Sequence, residues 1–406
     1  MKKAIVLGGT SPHVELIKRL KQREYETILV DYLDNSPGMV VADHYICAST
    51  LDKEAVLEIA RENQVNLIIS TCIDQANSTC CYVAEKMGLS HPYSYKTSLD
   101  VTDKGLMKSI MINAGIPTSK FTLTDSIENI VWEEIQFPAV VKPVDCNSSK
   151  GVHRVDSKEE TIRYVQEALK LSRNHKAIIE GFNEVVEIQV DCFAENGTAK
   201  VVMTRQKKKI NAENEMVLQS TGSIIPAMLS QEQLIQIKEI ASNIANAFKL
   251  ENTPFFYQAI VNDQGVSVLE FAPRIGGGLS YYLIKRITGF DVLDAAINSF
   301  LGQKSMVNIE DNPKFYATTL LYMSAGIFDH IEGFEELKKE GTIAEAFRLK
   351  KKGTVISEDM RSSNRVGAIV IEADDFESLQ KKEEIAYQGI RIYDENGNDV
   401  LKRGLS

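Results

Sequence analysis

The sequence has few residues of the kinds that mark a metal centre, a disulfide framework or a covalent nucleophile. Its 406 residues include only six cysteines and six histidines. There is no C-x-x-C pair, and the adjacent Cys80 and Cys81 suit neither a common zinc site nor a simple disulfide framework. Because the histidines are equally scattered, a His-based metal site or nucleophile is not expected. We therefore interpret the cysteines as small buried hydrophobic residues.

Long apolar runs and basic surfaces are also lacking. No stretch approaches the roughly 20 apolar residues that cross a bilayer, and the run Ala4–Leu7 is too short for the core of a signal peptide. The net charge of −10 gives no reason to expect nucleic-acid binding, which normally requires a basic face, and the run Lys207–Lys209 is too short to change that. We expect a cytoplasmic protein that binds neither membrane nor nucleic acid, with these lysines on a solvated edge.

The first 100 residues alternate apolar strands with helical patterns about ten residues long. Strand Ala4–Leu7 leads into Gly8-Gly9, and strand Thr27–Val30 ends on Asp31. This alternation predicts a parallel sheet. A dinucleotide site with Asp31 on a ribose is disfavoured, because the third glycine of G-x-G-x-x-G is missing. The strand ends could still face a small substrate.

The first motif that carries chemistry is a lysine at the end of a predicted strand, followed by a loop of small residues. The strand is Ala139–Lys142, and the loop covers residues 147–152. The ammonium of a buried lysine requires a partner, and backbone N–H groups of a Ser/Gly loop can close around phosphate oxygens. The alternative is a strand, a tight turn and an exposed lysine.

The second motif places polar side chains along one face of a strand. Glu187, Gln189 and Asp191 alternate with apolar residues shortly after Glu180. Such groups could accept hydrogen bonds from ribose hydroxyls and from the amino group of adenine. Solvent exposure is the alternative explanation.

The third motif is a predicted pair of strands that carries Gln258 and Glu270 and is followed by Arg274 and three glycines. An amide oxygen and a carboxylate are hard ligands of the kind that Mg²⁺ prefers. Arg274 could neutralise a phosphoryl group bidentately, and Gly276–Gly278 would allow a substrate to approach the backbone. The alternative is a hairpin that ends in a flexible loop.

In this order and spacing, the motifs resemble those of the ATP-grasp superfamily, in the branch that contains carbamoyl phosphate synthetase, biotin carboxylase, the phosphoribosylglycinamide-forming ligases and bacterial amino-acid ligases. The resemblance covers nearly the whole chain and implies a mixed α/β and α+β class. It implies a Rossmann-like pre-ATP-grasp domain at 1–100 and an ATP-grasp domain at 101–310, with a small mobile lobe at about 120–200. A small β-rich C-terminal lobe at 311–406 would complete the ATP-grasp core.

The resemblance also implies roles for individual residues. Those implied to be catalytic are Arg274, Lys142 and Glu270, and the implied metal ligands are Gln258 and Glu270. The implied nucleotide-binding residues are Lys104, Lys142, Asn147, Ser148, Ser149, Lys150, Gly151, Val152, Glu180, Gly181, Phe182, Asn183 and Glu187. The implied substrate-binding residues are Lys207, Gly222, Ser223, Arg274, Gly276 and Gly277.

One position departs from the pattern. Ala272 stands where the family usually has the asparagine of E-x-N-P-R, so one metal ligand is lost. Glu270 can still bridge two ions, and water or another group could fill the gap. This departure keeps a non-catalytic nucleotide-binding protein among the alternatives.

The resemblance implies an ATP- and Mg²⁺-dependent ligase that activates a small carboxylate as an acyl phosphate and joins it to an amine, with release of ADP and phosphate. Mn²⁺ could replace Mg²⁺. The other enzymatic alternative is a phosphotransferase or a carbamoyl-phosphate-like activity. The expected partners are a small-molecule carboxylate and an amine. A homodimer is compatible with the resemblance, since many relatives are dimers.

Overall fold

The computed structural model of the chain describes residues 2–33, 35–146, 150–182, 186–211 and 216–405. The chain divides into two compact units. The first comprises Met1–Ser119, Gln189–Met203 and Leu229–Asp311, and the second comprises Lys120–Ile188, Thr204–Met228 and Asn312–Ser406. The three-part division expected from the sequence stays a prediction. Among the described helices, none is both long enough and apolar enough to span a membrane.

The N-terminal part of the first unit is a parallel sheet with helices, as predicted. Its elements are β1 (Lys2–Leu7), α1 (Ser11–Gln22), β2 (Tyr25–Asp31), β3 (His44–Cys47), α2 (Lys53–Glu62), β4 (Leu67–Ile69), α3 (Asp74–Met87), α4 (Tyr95–Thr102) and α5 (Lys104–Asn113). The strand order is β3-β2-β1-β4, and every pair is parallel. Residues Ala4, Ile5, Val6 and Leu7 of the central strand are fully buried, which explains their continuous apolar run.

The carboxyl ends of these strands meet at one edge of the sheet, where α/β proteins collect their ligands. The Asp31 carboxylate there accepts hydrogen bonds from the backbone N–H groups of Gly9 (2.6 Å) and Leu33 (3.1 Å). Asp31 therefore connects the loop after β2 to the loop after β1 by hydrogen bonds. This contact is consistent with the sequence argument against a dinucleotide site.

The beginning of the second unit is a small antiparallel sheet covered by one helix. Its elements are β5 (Phe121–Thr124), β6 (Ala139–Pro143), β7 (His153–Val155), α6 (Lys158–Leu171) and β8 (Ala177–Gly181). The strand order is β5-β8-β6-β7. Val165 of α6 packs with Val141 and Ile179 of the sheet in one buried apolar cluster. This packing places the end of β6 and the end of β8 on one small scaffold.

Residues 186–300 contribute elements to both units. They are β9 (Val186–Glu195), β10 (Thr198–Asn211), β11 (Met216–Ile225), α7 (Gln231–Ala247), β12 (Thr253–Asn262), β13 (Gly265–Ala272), α8 (Ser280–Thr288) and α9 (Val292–Phe300). Strands β12 and β13 pair antiparallel, with Gln258 opposite Glu270 and Phe256 opposite Ala272. Helices α8 and α9, like α4, were not predicted from the sequence.

The C-terminal part of the second unit is rich in strands, as expected. Its elements are β14 (Phe315–Leu321), β15 (Gly326–Glu332), α10 (Phe334–Lys339), β16 (Glu345–Arg348), β17 (Val355–Ile356), β18 (Gly367–Ala373), α11 (Phe376–Gly389) and β19 (Arg391–Asp394). Strands β11, β14, β18 and β16 are consecutive neighbours in an antiparallel sheet. Strands β17, β15 and β19 form a second sheet over a shared apolar core.

The cysteines differ in part from the prediction. Cys80, Cys81 and Cys192 are buried, whereas Cys47 is exposed. The expectation of a buried residue is therefore wrong for Cys47. It lies at the end of β3, an edge strand of the parallel sheet whose side chains are all at least partly accessible.

Candidate active site

Lys142 and Glu180, both predicted to bind nucleotide, form an ion pair in the second unit. Lys142 Nζ lies 2.6 Å from Glu180 Oε1, and their side chains are 11% and 4% exposed. The two residues come from the neighbouring strands β6 and β8. Burial of two opposite charges is tolerable only when they are paired. Glu180 therefore supplies the partner that the buried Lys142 ammonium requires.

The predicted phosphate-binding loop at 147–152 begins outside the described residues, because Asn147, Ser148 and Ser149 fall there. Lys150 is exposed, and Gly151 and Val152 are partly buried. Gly151 has φ +71°, and a Cβ at this position would lie 2.6 Å from Leu171 Cδ1 of α6. The backbone conformation therefore favours glycine, and the close contact with the Leu171 side chain adds to this preference.

The predicted nucleotide-binding segment at 180–183 includes the end of β8. Gly181 is exposed, and a Cβ built on it would meet no atom within 4 Å. The backbone N–H of Phe182 donates to the carbonyl of Pro138 (2.9 Å), and the Arg154 guanidinium carbon lies 4.9 Å from the centre of the Phe182 ring. Asn183 falls outside the described residues. The segment thus has an open backbone position next to an anchored aromatic ring.

Glu187, predicted to hold the ribose, is bound by two lysines. Its carboxylate accepts hydrogen bonds from Lys207 and Lys209 of β10. Burial raises the pKa of Glu187, but the two ammonium groups outweigh it and hold the pKa at about 2. Lys208 is paired with Glu383 of α11. The expectation that Lys207–Lys209 form a solvated edge is therefore wrong, because carboxylates on other elements neutralise all three side chains.

The predicted acceptor segment, Gly222 and Ser223, lies in β11 against β14. The Ser223 hydroxyl shares a hydrogen bond of 2.8 Å with that of Thr318, and the Ser223 side chain is buried. A Cβ on Gly222 would come within 1.9 Å of the Thr318 carbonyl oxygen. Both residues therefore have a clear structural role in the contact between the strands.

In the first unit, the residues predicted to bind metal and phosphate lie close together. Gln258 and Glu270 are directly opposite each other on β12 and β13, so their side chains share one face. Lys104 Nζ lies 3.9 Å from Glu270 Oε2, and the Glu270 side chain is 38% exposed. Within the described residues, no three His, Cys, Asp or Glu side chains are grouped so that they could hold a metal. A cation here would rest on Gln258, Glu270 and phosphate oxygens.

Arg274 makes contacts that the sequence reasoning missed. Its Nε and one terminal nitrogen donate to the two carboxylate oxygens of Asp74, at 2.5 and 2.8 Å, and its other terminal nitrogen donates to the Ile275 carbonyl at 2.9 Å. Burial lowers the pKa of Arg274, but Asp74 outweighs it and the net shift is upward. The signal in the sequence was an acidic residue just after a predicted strand, but nothing linked it to a position 200 residues later.

The glycines after Arg274 form the turn that leads into α8. Gly276 is buried and Gly277 is exposed. The carbonyl of Gly277 accepts a hydrogen bond of 2.8 Å from the Ser280 hydroxyl at the start of α8. A Cβ on Gly277 would meet no atom within 4 Å, so this position has room beside it.

Comparisons with known proteins match the part of the chain that contains the three motifs. Residues 102–278 match the family of the phosphoribosylglycinamide synthetase ATP-grasp (A) domain. A formate-dependent phosphoribosylglycinamide formyltransferase of Rhodococcus jostii (strain RHA1) is 24% identical over 306 residues, which cover 73% of this chain and 74% of that protein. Other relatives of the same description are matched over less of their length, in one case 46%.

Two solved structures share the fold over almost the full chain. An L-amino acid ligase from Bacillus licheniformis has a TM-score of 0.82 at 18% identity, and the match covers 98% of this chain and 99% of that one. A biotin carboxylase domain of the 2-oxoglutarate carboxylase of Hydrogenobacter thermophilus, in complex with MgADP, ADP and bicarbonate, has a TM-score of 0.76 at 17% identity and covers 99% and 91%. The chain therefore shares its fold with these two proteins, and residues 102–278 match an ATP-grasp domain family.

Proposed function

We propose that this protein is an ATP- and Mg²⁺-dependent carboxylate–amine ligase that forms an acyl phosphate and releases ADP and phosphate. The observation that carries the proposal is the match of residues 102–278 to an ATP-grasp domain family. Within this range Lys142 is paired with Glu180, and Glu270 lies near Lys104. The names of its relatives, a formate-dependent formyltransferase and an L-amino acid ligase, fit the same chemistry. We expect the protein to act in the cytoplasm.

The reaction must bring a carboxylate against the γ-phosphoryl group of ATP, although both are anions. A carboxylate oxygen attacks the γ-phosphorus while the bond from that phosphorus to the bridging oxygen of ADP breaks. The amine nitrogen then attacks the carbonyl carbon, phosphate leaves with the electrons of the C–O bond, and the nitrogen loses a proton. Cationic groups fixed beside the transferring phosphoryl group lower the barrier, and Lys104, Lys142 and Arg274 are proposed for this role.

Gln258 and Glu270 would hold Mg²⁺ together with phosphate oxygens. Their side chains share one face of a strand pair, and the Glu270 carboxylate is partly accessible, so the donor set fits a hard cation. Bound Mg²⁺ would supply charge neutralisation at the phosphates. Ala272, directly opposite Phe256, adds no oxygen to this set.

The nucleotide would contact Lys142, Glu180, Gly181, Phe182 and Glu187, with the 147–152 segment over the phosphates. For the ribose to reach Glu187, its hydroxyls must compete with Lys207 and Lys209 for the carboxylate. A released Lys207 would then be available to an anionic substrate. The small-molecule substrates are proposed to lie near Arg274 and the glycines that follow it.

The decisive experiment uses hydroxylamine as a general amine substitute. The purified protein is incubated with MgATP and single carboxylates, and both ADP and acyl hydroxamate are measured. A ligase gives both products, and both depend on the carboxylate. ADP release with a phosphorylated acceptor and no hydroxamate would instead indicate a phosphotransferase. Nucleotide binding without ADP release across a broad panel would contradict catalysis.

A further inference from the structure

The three consecutive lysines of β10 divide their side chains between the two faces of the sheet. Lys207 and Lys209 donate to the Glu187 carboxylate, and Lys208 between them donates to Glu383 of α11. This division follows the alternation of side chains along a strand. Because the three side chains are identical, the run itself does not determine which face receives two lysines and which receives one.

The backbone pairing of β10 with β11 is irregular at this point, and its register shifts on both sides of Lys209. Lys208 pairs with Gly222 and Lys209 pairs with Ser220, so Thr221 is an extra residue on β11. Such a β-bulge disrupts the ladder locally. The hydrogen bonds between the strands therefore constrain the orientation of the lysines less than a regular ladder does, and side-chain contacts have a larger part in setting it.

Glu383 binds Lys208 and Thr319 together. Lys208, Gly222 and Thr319 lie directly opposite one another on β10, β11 and β14, so the side chains of Lys208 and Thr319 share one face. Gly222 between them has no side chain, which leaves one carboxylate room to reach both. One oxygen of Glu383 accepts from Lys208, and the other accepts from the Thr319 hydroxyl at 2.6 Å. These contacts fix the position of the Lys208 ammonium.

The Lys208 ammonium depends on Glu383 because α11 covers this face of the sheet. Glu383 lies on the same side of α11 as Leu379 and Ala386, which belong to the apolar core of the C-terminal part of the second unit. The side chains of Lys208 and Glu383 are 20% and 15% exposed, and a cation in such surroundings is costly without an opposite charge. Burial raises the pKa of the neighbouring Tyr387 to about 12, so Tyr387 is neutral near pH 7 and supplies no second negative charge.

We propose that Glu383 is a positioning residue for Glu187, because it holds Lys208 on the α11 face of the sheet. The two flanking lysines then both face the Glu187 carboxylate and keep it ionised and in one orientation. This inference rests on the proposed ligase function, in which Glu187 contacts the ribose. Without the charge of Glu383, Lys208 turns toward Glu187, and a turn of the strand by one residue takes Lys207 and Lys209 away from it. Glu187 is then left with one ammonium partner in place of two.

Two variants separate this role from a general contribution to stability. Glu383→Gln keeps the shape of the side chain and removes its charge, so Lys208 loses its counter-charge. Lys208→Met/Glu383→Gln has an apolar residue on the α11 face and no ammonium to redirect, so it should restore both contacts of Glu187. Glu384→Gln removes the same charge from an exposed position of α11 and is the matched control.

The first measurement reports the charges around Glu187 and needs no ligand. The difference in unfolding free energy between each protein and the same protein with Glu187→Gln is followed from neutral to acid pH. Burial raises the pKa of Glu187, and the ammonium groups of Lys207 and Lys209 lower it, so loss of one ammonium raises it.

We expect the pH at which this difference falls to move upward by about one unit in Glu383→Gln. It should keep its wild-type position in Lys208→Met/Glu383→Gln and in Glu384→Gln. An unmoved fall in Glu383→Gln, or the same upward move in the double variant, would overturn the proposal.

The second measurement reports the proposed nucleotide site. The Kd of MgADP is determined from the melting temperature of the full-length protein in titrations. We expect binding at least fivefold weaker in Glu383→Gln, and a Kd within twofold of the wild-type value in Lys208→Met/Glu383→Gln and in Glu384→Gln. Glu187→Gln is measured in parallel. A Kd raised by Glu187→Gln but not by Glu383→Gln would refute the positioning role. A Kd unchanged by Glu187→Gln would instead contradict the proposed ribose contact, and the pH measurement would then decide the role of Glu383 by itself.

Discussion

The ion pair between Lys142 and Glu180 gives Lys142 a structural role in addition to the functional role proposed for it. Loss of a partner from a buried ion pair leaves an uncompensated charge, which costs about 3–5 kcal/mol. We predict that Lys142→Ala abolishes ATP turnover and also lowers the free energy of unfolding by about that amount, as measured by chemical denaturation. The double variant Lys142→Met/Glu180→Gln removes both charges, so it should unfold nearly as the wild type does and still fail to turn over ATP. ATP turnover in either variant would contradict the site assignment.

Glu187 should make the protein sensitive to acid. Its folded-state pKa of about 2 lies below the ordinary value of 4.5, so the stability it contributes is complete above about pH 4.5 and is lost as the pH falls toward 2. Glu187→Gln lacks this contribution at every pH. We therefore predict that the difference in unfolding free energy between wild type and Glu187→Gln, on the order of 3 kcal/mol at most near neutral pH, shrinks between pH 4.5 and pH 2. A difference independent of pH would exclude the two lysines as its cause.

Ala272 allows a test of the proposed metal site at a single residue. It lies two positions after Glu270 on β13, so the two side chains point to the same face, and it is 5% exposed. Ala272→Asn would add an amide oxygen beside Gln258 and Glu270, and we predict that it changes the Mg²⁺ concentration needed for half-maximal ADP release. Ala272→Leu, matched in shape, controls for the crowding. A Mg²⁺ titration of Ala272→Asn that coincides with the wild type would show that residue 272 does not serve the metal.

At the scale of elements, the contact between β11 and β14 depends on the absence of a side chain at Gly222. A Cβ there would overlap the Thr318 carbonyl oxygen, which belongs to a strand backbone and has little freedom to move. We predict that Gly222→Ala lowers the free energy of unfolding by about 2–4 kcal/mol. Gly277→Ala, at a position with open space, should change it by less than about 0.5 kcal/mol. Equal effects in the two variants would mean that the strand contact is not tight.

The elements that the sequence predicted are those with a strong local pattern. Helix α5 begins directly after Asp103 because the Asp103 carboxylate accepts hydrogen bonds from the N–H groups of Gly105 and Leu106, at 2.9 and 3.0 Å. Helices α8 and α9 were not predicted. Helix α8 follows a run of glycines and has no side-chain cap. Helix α9 is bounded by local signals, because Gly289 ends α8 and the Asp291 carboxylate accepts a hydrogen bond of 3.2 Å from the Asp294 N–H. Of these two helices, only α8 therefore lacks a start signal in the sequence.

Contacts within the candidate site were predictable where a motif lies in one stretch of chain, and they were unpredictable where two distant stretches meet. Lys142, Gln258 and Glu270 could be named because strand ends and a hairpin fix their surroundings locally. The pairing of Arg274 with Asp74 joins positions 200 residues apart, and that of Glu187 with Lys207 and Lys209 depends on which strands become neighbours. Which distant residues become neighbours depends on the topology of the fold, and this topology cannot be read from one sequence.

At the scale of the whole molecule, the fold is shared with ligases and carboxylases, so function depends on the groups placed at the site rather than on the fold. A nucleotide that binds only the native state must stabilise the chain by mass action. We predict that MgADP at 100 times its Kd stabilises the wild type by about 2.7 kcal/mol, measured as a concentration-dependent rise in melting temperature. The variant Lys142→Met/Glu180→Gln should lose most of this rise. An equal rise in both proteins would place the nucleotide elsewhere.

The contact between Gly151 and α6 has a consequence for genetics. A methyl group at position 151 would meet the Leu171 side chain at 2.6 Å, but a side chain can shorten or turn away, whereas the backbone at φ +71° resists any substitution. An inactive Gly151→Ala strain should therefore yield partial suppressors in which Leu171 becomes smaller. Full revertants should restore glycine at position 151 itself.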